Sequence, residues 1–342
     1  MAIQFCFISP KIKLSASSRL FLSIHKKKQN LSNIHVSKIA QLTGHKAGVF
    51  ALSDDNEAKY FLSGAGEGWI VRWDLENPDL GKVIAKAENN IYSLCHLPDS
   101  GLVIAGNMIG GVHWIDLTDS DQSKNIQHHQ KGVYDIQRIG DHIVTLGGGG
   151  MLTKWSIEER RTLESLHLTN QSLRAVDYNK TRNELAIGAS DNNIYILDAE
   201  NWRIKHVIKN AHENSVFTVK YAPNGNYLWS GGRDAHLKIW DLERDFELAA
   251  DQSAHWFTIN DIAFHPDGHL LATASRDKTI KIWDAASFKL LKVIETIRDG
   301  GHINSVNALY WSSYNNYLIS CSDDRSLIVW EVKQEIKKSF AK

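Results

Sequence analysis

Long apolar runs are missing from this 342-residue chain: nowhere do 18 apolar residues follow one another, so no helix of it is expected to span a bilayer. Cysteine is equally scarce. Cys6, Cys95 and Cys321 stand alone, with no Cys-x-x-Cys pair, which excludes a disulfide framework and a clustered zinc site and suits a reducing compartment; the expected location is cytoplasmic. There are only five prolines, and the abundant aromatic and β-branched residues point to strands. With 43% hydrophobic residues the chain can bury a sizeable core.

Net charge is also absent, with 39 basic against 39 acidic side chains, but the balance is uneven along the chain. Residues 1–35 carry Lys11, Lys13, Arg19, Lys26, Lys27 and Lys28 and no carboxylate, leaving 33 basic against 39 acidic groups in residues 36–342. An acidic body argues against nucleic acid as a partner, which selects clustered positive charge; the basic arm is the only segment that favours it. Residues 1–35 read as a disordered basic arm, a transit-like segment or a mis-assigned start, and residues 36–342 as the folded domain.

What the chain does have is repetition. "SGAGEGWIVRWD" at Ser63, "SGGRDAHLKIWD" at Ser230, "TASRDKTIKIWD" at Thr273 and "SCSDDRSLIVWE" at Ser320 share one pattern, and His45, His212, His255 and His302 each precede the pattern's tryptophan by 28 residues. With that tryptophan as a ruler, equivalent positions fall at Trp73, Ile115, Trp155, Leu197, Trp240, Trp283 and Trp330, spaced by 40 to 47 residues. The fourth residue after each histidine position is aliphatic in every unit: Val49, Ile91, Val133, Leu173, Val216, Ile259 and Val306. Runs such as "VFTVKYA", "PNG", "YLWSGG" then read as strand, tight turn and strand. A period of this length with His near its start and Trp-Asp at its end marks a four-stranded propeller blade.

From about Ser37 to Lys333 the chain resembles the WD-repeat β-propeller family. The resemblance implies an all-β, seven-bladed β-propeller of four-stranded antiparallel blades. The last blade ends after its third strand, at "LIVWEVK", so an N-terminal strand, Ile39 to Leu42, is expected to pair with it and close the ring. The resemblance also implies a buried hydrogen-bond relay in each complete blade: His212, Ser230, Asp234 and Trp240; His255, Thr273, Asp277 and Trp283; His302, Ser320, Asp324 and Trp330; and, with Glu67 standing where aspartate is expected, His45, Ser63 and Trp73. Blades two and four lack the tryptophan and blade three lacks the aspartate, so blades two to four are expected to open locally most readily.

A Ser-His-Asp hydrolase uses the same residue types. Four copies, the absence of a Gly-x-Ser-x-Gly elbow and the tryptophan in the pattern all argue against it, so no catalytic residue is assigned. No metal or cofactor is expected either. His128 and His129 lack neighbouring ligands and read as a loop with one structural histidine, and the "GGGG" run at 147–150 lacks the Lys and Ser or Thr of a phosphate loop and reads as an altered turn.

The resemblance places protein partners on one face of the disc. The fifth residue after each histidine position gives Phe50, Tyr92, Tyr134, Arg174, Phe217, Asn260 and Asn307; Arg233 and Arg276 precede an aspartate position on the same face. Aromatics and arginines are the types enriched at binding hot spots, and Arg174, Arg233 and Arg276 would suit an acidic or phosphorylated peptide. The expected function is a non-enzymatic protein-binding scaffold. The alternative is a small-molecule-binding or enzymatic propeller using the central channel, which carboxylates or histidines converging there would favour.

Overall fold

The computed structural model describes residues 33–335. Residues 34–333 form a compact unit of seven four-stranded antiparallel sheets, each built from strands consecutive in the chain except the last. In that sheet Asn33–Leu42 lies beside Leu327–Glu335, so the first strand supplies the fourth strand of the seventh blade. This closure leaves no blade short of a strand. The closing strand begins at Asn33, three residues before the expected boundary at 36; residues 1–32, and with them the arm and transit-like readings, lie outside the described residues.

Burial grades outward through each blade. Second strands such as Leu102–Asn107, Glu184–Ala189 and Leu270–Ser275 are buried at every position, being sandwiched by neighbouring blades on both faces, and their sequences are correspondingly apolar without alternation. Outer strands such as Lys82–Lys86 and Arg161–His167 are short, largely exposed and charged, which blunts them as templates for edge-to-edge pairing. The core is a series of clusters, each shared by two adjacent blades. One packs Ile194 and Ile196 of blade four against Val216, Val219, Leu228 and Trp240 of blade five.

One irregularity recurs around the whole ring. Every innermost strand shifts register immediately after its first residue, between Val49 and Ala51, Ile91 and Ser93, Val133 and Asp135, Leu173 and Ala175, Val216 and Thr218, Ile259 and Asp261, and Val306 and Ala308. The residue skipped by each shift is the fifth after the histidine position. A bulge takes one residue out of the ladder and re-aims its side chain. Here it does so seven times at one end of the central channel.

Candidate interaction face

All seven bulge residues, Phe50, Tyr92, Tyr134, Arg174, Phe217, Asn260 and Asn307, line one cavity of about 770 Å³ along the axis. Five of them form a continuous π ladder. Phe50 meets Tyr92 edge-on at 5.4 Å, Tyr92 stacks on Tyr134 at 5.8 Å, and the Arg174 guanidinium lies 4.3 Å from the Tyr134 ring centre and 5.1 Å from that of Phe217. The two asparagines complete the circuit through hydrogen bonds: Asn260 Nδ2 donates to Ser305 Oγ and the Val306 carbonyl, and Asn307 Nδ2 donates to Asp323 Oδ1 and the Val49 carbonyl.

The three arginines grouped by sequence therefore differ in setting. Arg174 is half-buried, stacked between two rings and donates to Ser190 Oγ. Arg233 and Arg276 are exposed on the turns of blades five and six, and among the described residues neither side chain has a partner.

Below the bulge ring the channel holds charge that was not read from the sequence. Asp135, Asp177, Asp261 and Lys220 all line the cavity, with Lys220 Nζ 3.7 Å from Asp177 Oδ1. Each carboxylate also reaches the next blade: Asp135 accepts from Val176 N–H, Asp177 from Tyr221 N–H, and Asp261 from Leu309 N–H, all within 2.8 Å. Ser93 Oγ donating to the Val133 carbonyl and His96 N–H donating to Ser53 Oγ continue this inter-blade belt. Burial pushes the Asp135 carboxyl up to about 6 against the pull of Lys220 and two backbone donors, and pushes Asp177 and Asp261 up as well. Lys220 is desolvated too, but the three surrounding carboxylates outweigh this and hold it protonated. These carboxylates lie six or eight residues after the histidine position, whereas the channel-mouth residues lie five after it.

The relay residues meet in four blades. In blade six Trp283 Nε1–H donates to Thr273 Oγ1 at 3.0 Å, Thr273 Oγ1 lies 2.8 Å from His255 Nε2, and His255 Nδ1 lies 2.9 Å from Asp277 Oδ2. Blades five and seven repeat this with His212, Ser230, Asp234 and Trp240 and with His302, Ser320, Asp324 and Trp330. Blade one completes the same set with glutamate: Glu67 Oε1 is 2.6 Å from His45 Nδ1, His45 Nε2 is 2.8 Å from Ser63 Oγ, and Trp73 Nε1 is 2.7 Å from Ser63 Oγ. The carboxylate accepts only, so Nδ1 carries the proton; Nε2 then accepts from the hydroxyl, which accepts from the indole, and a neutral imidazole satisfies the chain.

Burial, partly offset by the carboxylate, lowers His45 and His255 below the usual histidine range. Burial also opposes ionisation of Asp234, but the hydrogen bond from His212, with those from the N–H groups of Glu213 and His236, overcomes it and holds the carboxyl at about 2; Asp277 and Asp324 are held well below the usual range in the same way. The hydroxyls of Ser63, Ser230, Thr273 and Ser320 have no exposed surface. A group so enclosed, and already bonded on both sides, presents no nucleophile to a substrate.

Blade three keeps half of the relay. Trp155 Nε1 donates to Thr145 Oγ1, which lies 2.8 Å from His129 Nε2, but the carboxylate position is Gly149 and His129 Nδ1 is buried without a partner. Burial, with His128 beside it, pushes His129 down to about 4. His128 bonds Thr153 and packs edge-on against Trp155. Blade two has Ala105 and Ile115 at the hydroxyl and indole positions, and its turn is held by Asn107, which accepts from Ile109 and Gly111 N–H. In blade four Tyr195 Oη donates to Asp191. Among the described residues no group of three His, Cys, Asp or Glu is placed to hold a metal ion, and no helix is long and apolar enough to cross a membrane.

A further surface is built from residue types that in the sequence suggest a core. Trp256 and Phe257, directly after His255, are 86% and 59% exposed, and Ile303, directly after His302, is 62% exposed. The position after the histidine is the only available signal, since it lies outside the relay.

The repeat family described as WD domain, G-beta repeat matches residues 36–74, 203–241, 247–284 and 291–331. These segments correspond to blades one, five, six and seven, the four in which the relay is complete. Among solved structures, the WD40 beta propeller domain of Doa1 is similar to the chain with a TM-score of 0.76 at 17% identity, covering 86% of this chain and 96% of that one. No curated protein matches the chain.

Proposed function

The chain is a WD-repeat β-propeller, and from that premise we infer that it works as a non-enzymatic platform, binding a protein or peptide segment across the mouth of its central channel. Propellers of this family are typically non-catalytic interaction scaffolds. The observation that carries the reading for this chain is the set of seven register shifts. They turn four aromatic rings, a stacked arginine and two asparagines toward one opening, where rigid aromatic area and directional donors coincide. Arg233 and Arg276, without side-chain partners among the described residues, favour a segment bearing carboxylates or phosphate. The cytoplasm is the compartment we assign, because Cys95 and Cys321 are unpaired among the described residues, as suits a reducing environment.

A small-molecule reading gains from Asp135, Asp177 and Asp261 converging in the channel. Those carboxylates, however, are already bonded to the backbone of the next blade, so their first task is holding the ring closed. The test compares proteins captured from a source lysate by the full chain and by an Arg174→Ala, Arg233→Ala, Arg276→Ala variant of unchanged melting temperature, with cross-links mapped onto the chain. Partners lost from the variant and cross-linked to the channel-mouth loops support the platform. Equal capture by both, or cross-links confined to the opposite end of the channel, refutes it.

A further inference from the structure

We propose that the loops of blades six and seven form a preorganised docking spot for a short acidic segment that carries an apolar or aromatic anchor; this deepens the platform reading and rests on it. Trp256, Phe257 and Ile303 stand exposed at corresponding positions of adjacent blades. A tryptophan with 86% of its surface in water is unusual in a monomer, and clustered exposed apolar groups mark contact sites. Single aromatic anchors commonly dominate binding energy.

These side chains are not carried on loose loops. Trp256 N–H donates to Asp277 Oδ2 at 3.0 Å, Ser275 Oγ donates to the Phe257 carbonyl at 3.1 Å, and Arg276 N–H donates to the Thr258 carbonyl at 3.0 Å. Ile303 N–H donates to Asp324 Oδ2 at 3.1 Å. Asn260 of blade six, bonded to Ser305 and Val306 of blade seven, ties the two loops to each other. The relay of each blade thus fixes the apolar residue that follows its histidine, and a partner has little loop ordering left to supply.

Charge selects the partner. Arg233, Arg276 and Lys278 are exposed on the turns of blades five and six, and their side chains have no partner among the described residues. They form a cationic flank on a body whose residues 36–342 hold 33 basic against 39 acidic groups. A segment placing Asp or Glu beside its apolar anchor satisfies both features at once, whereas a basic segment meets repulsion.

The test is selection of a random displayed peptide library on the immobilised full chain, followed by fluorescence anisotropy of the enriched peptides. The expected peptides carry an apolar or aromatic residue next to Asp or Glu, and their affinity falls roughly tenfold or more with Trp256→Ala and with Arg276→Glu. It should not change with Ile109→Ser, an exposed apolar residue on a blade-two turn. Trp256, Arg276 and Ile109 are all exposed, so an unchanged melting temperature is expected in each variant. The proposal falls if no peptide is enriched, if enriched peptides are basic or uncharged, or if sedimentation shows a dimer that Trp256→Ala dissolves, since the occupant is then a second copy. Peptides that depend on Tyr134 or Arg174 but not on Trp256 would also overturn it, while leaving the channel-mouth platform standing.

Discussion

Replacing Gly149 by aspartate should repair blade three. In blade six the carboxylate at this position receives His255 Nδ1 at 2.9 Å, Trp256 N–H at 3.0 Å, Thr279 N–H at 2.9 Å and Thr279 Oγ1 at 2.6 Å. In blade three His129 Nδ1 is buried and unpaired. A Cβ built on Gly149 has nothing within 4 Å, and its φ lies outside the left-handed range, so neither space nor backbone opposes the change. A hydrogen bond to a charged group contributes about 1.5–3 kcal/mol. Replacing glycine where the backbone is compatible contributes about 0.4–1 kcal/mol through the unfolded chain. Desolvating the carboxylate and fixing its rotamers offset part of this, leaving about 1–2 kcal/mol net. For a domain of this size that amounts to about 2–3 °C in melting temperature. Calorimetry of Gly149→Asp beside Gly149→Ala separates the hydrogen bond from the backbone effect, and NMR titration should show His129 rising from about 4. Gly149→Asp no more stable than Gly149→Ala, with His129 unmoved, would refute the reasoning.

Removing a carboxylate should do the reverse. Asp277→Ala orphans His255 Nδ1 and the N–H groups of Trp256 and Thr279 and should lower stability by about 2–4 kcal/mol in urea titration, far more than Asp323→Ala on the exposed part of a turn. Stability should also depend on acid. Asp234, at about 2 when folded against 3.8 as a free side chain, contributes in full above about pH 4 and loses that contribution as pH falls toward 2, as do Asp277 and Asp324. Circular dichroism of an Asp234→Asn, Asp277→Asn, Asp324→Asn variant should therefore show a shallower slope over that window. In hydrogen exchange, the second strands of blades one, five, six and seven should be slowest and that of blade two fastest, since blade two alone has Ala87, Ala105, Ile109 and Ile115 in place of relay histidine, hydroxyl, carboxylate and indole together; a slowest blade two would contradict the assignment of rigidity to the relay.

Blade count, closure and the membership of the relay were legible in the chain because they rest on spacing. Strands of fixed length joined by tight turns repeat a local pattern, and a tryptophan 28 residues after a histidine can be counted without knowing where either points. Blade one shows the limit of counting. Glu67 reads as a departure, yet its longer side chain reaches His45 from the same turn, which only the tertiary geometry decides. The bulges are similar: the seven channel-mouth residues were countable, but a register shift is a property of two paired strands, and it is what turns Phe50 through Asn307 toward the opening. Stacking of Arg174 between Tyr134 and Phe217 joins three blades, and the carboxylates of Asp135, Asp177 and Asp261 answer to backbone donors about 40 residues or more away. Trp256 is the plainest case. Its composition suggests a core residue, and only the assembled ring, which spends its interior on other side chains, leaves it in water. Periodicity thus determined the architecture by itself, while the fate of each side chain was settled by neighbours brought together from distant parts of the chain.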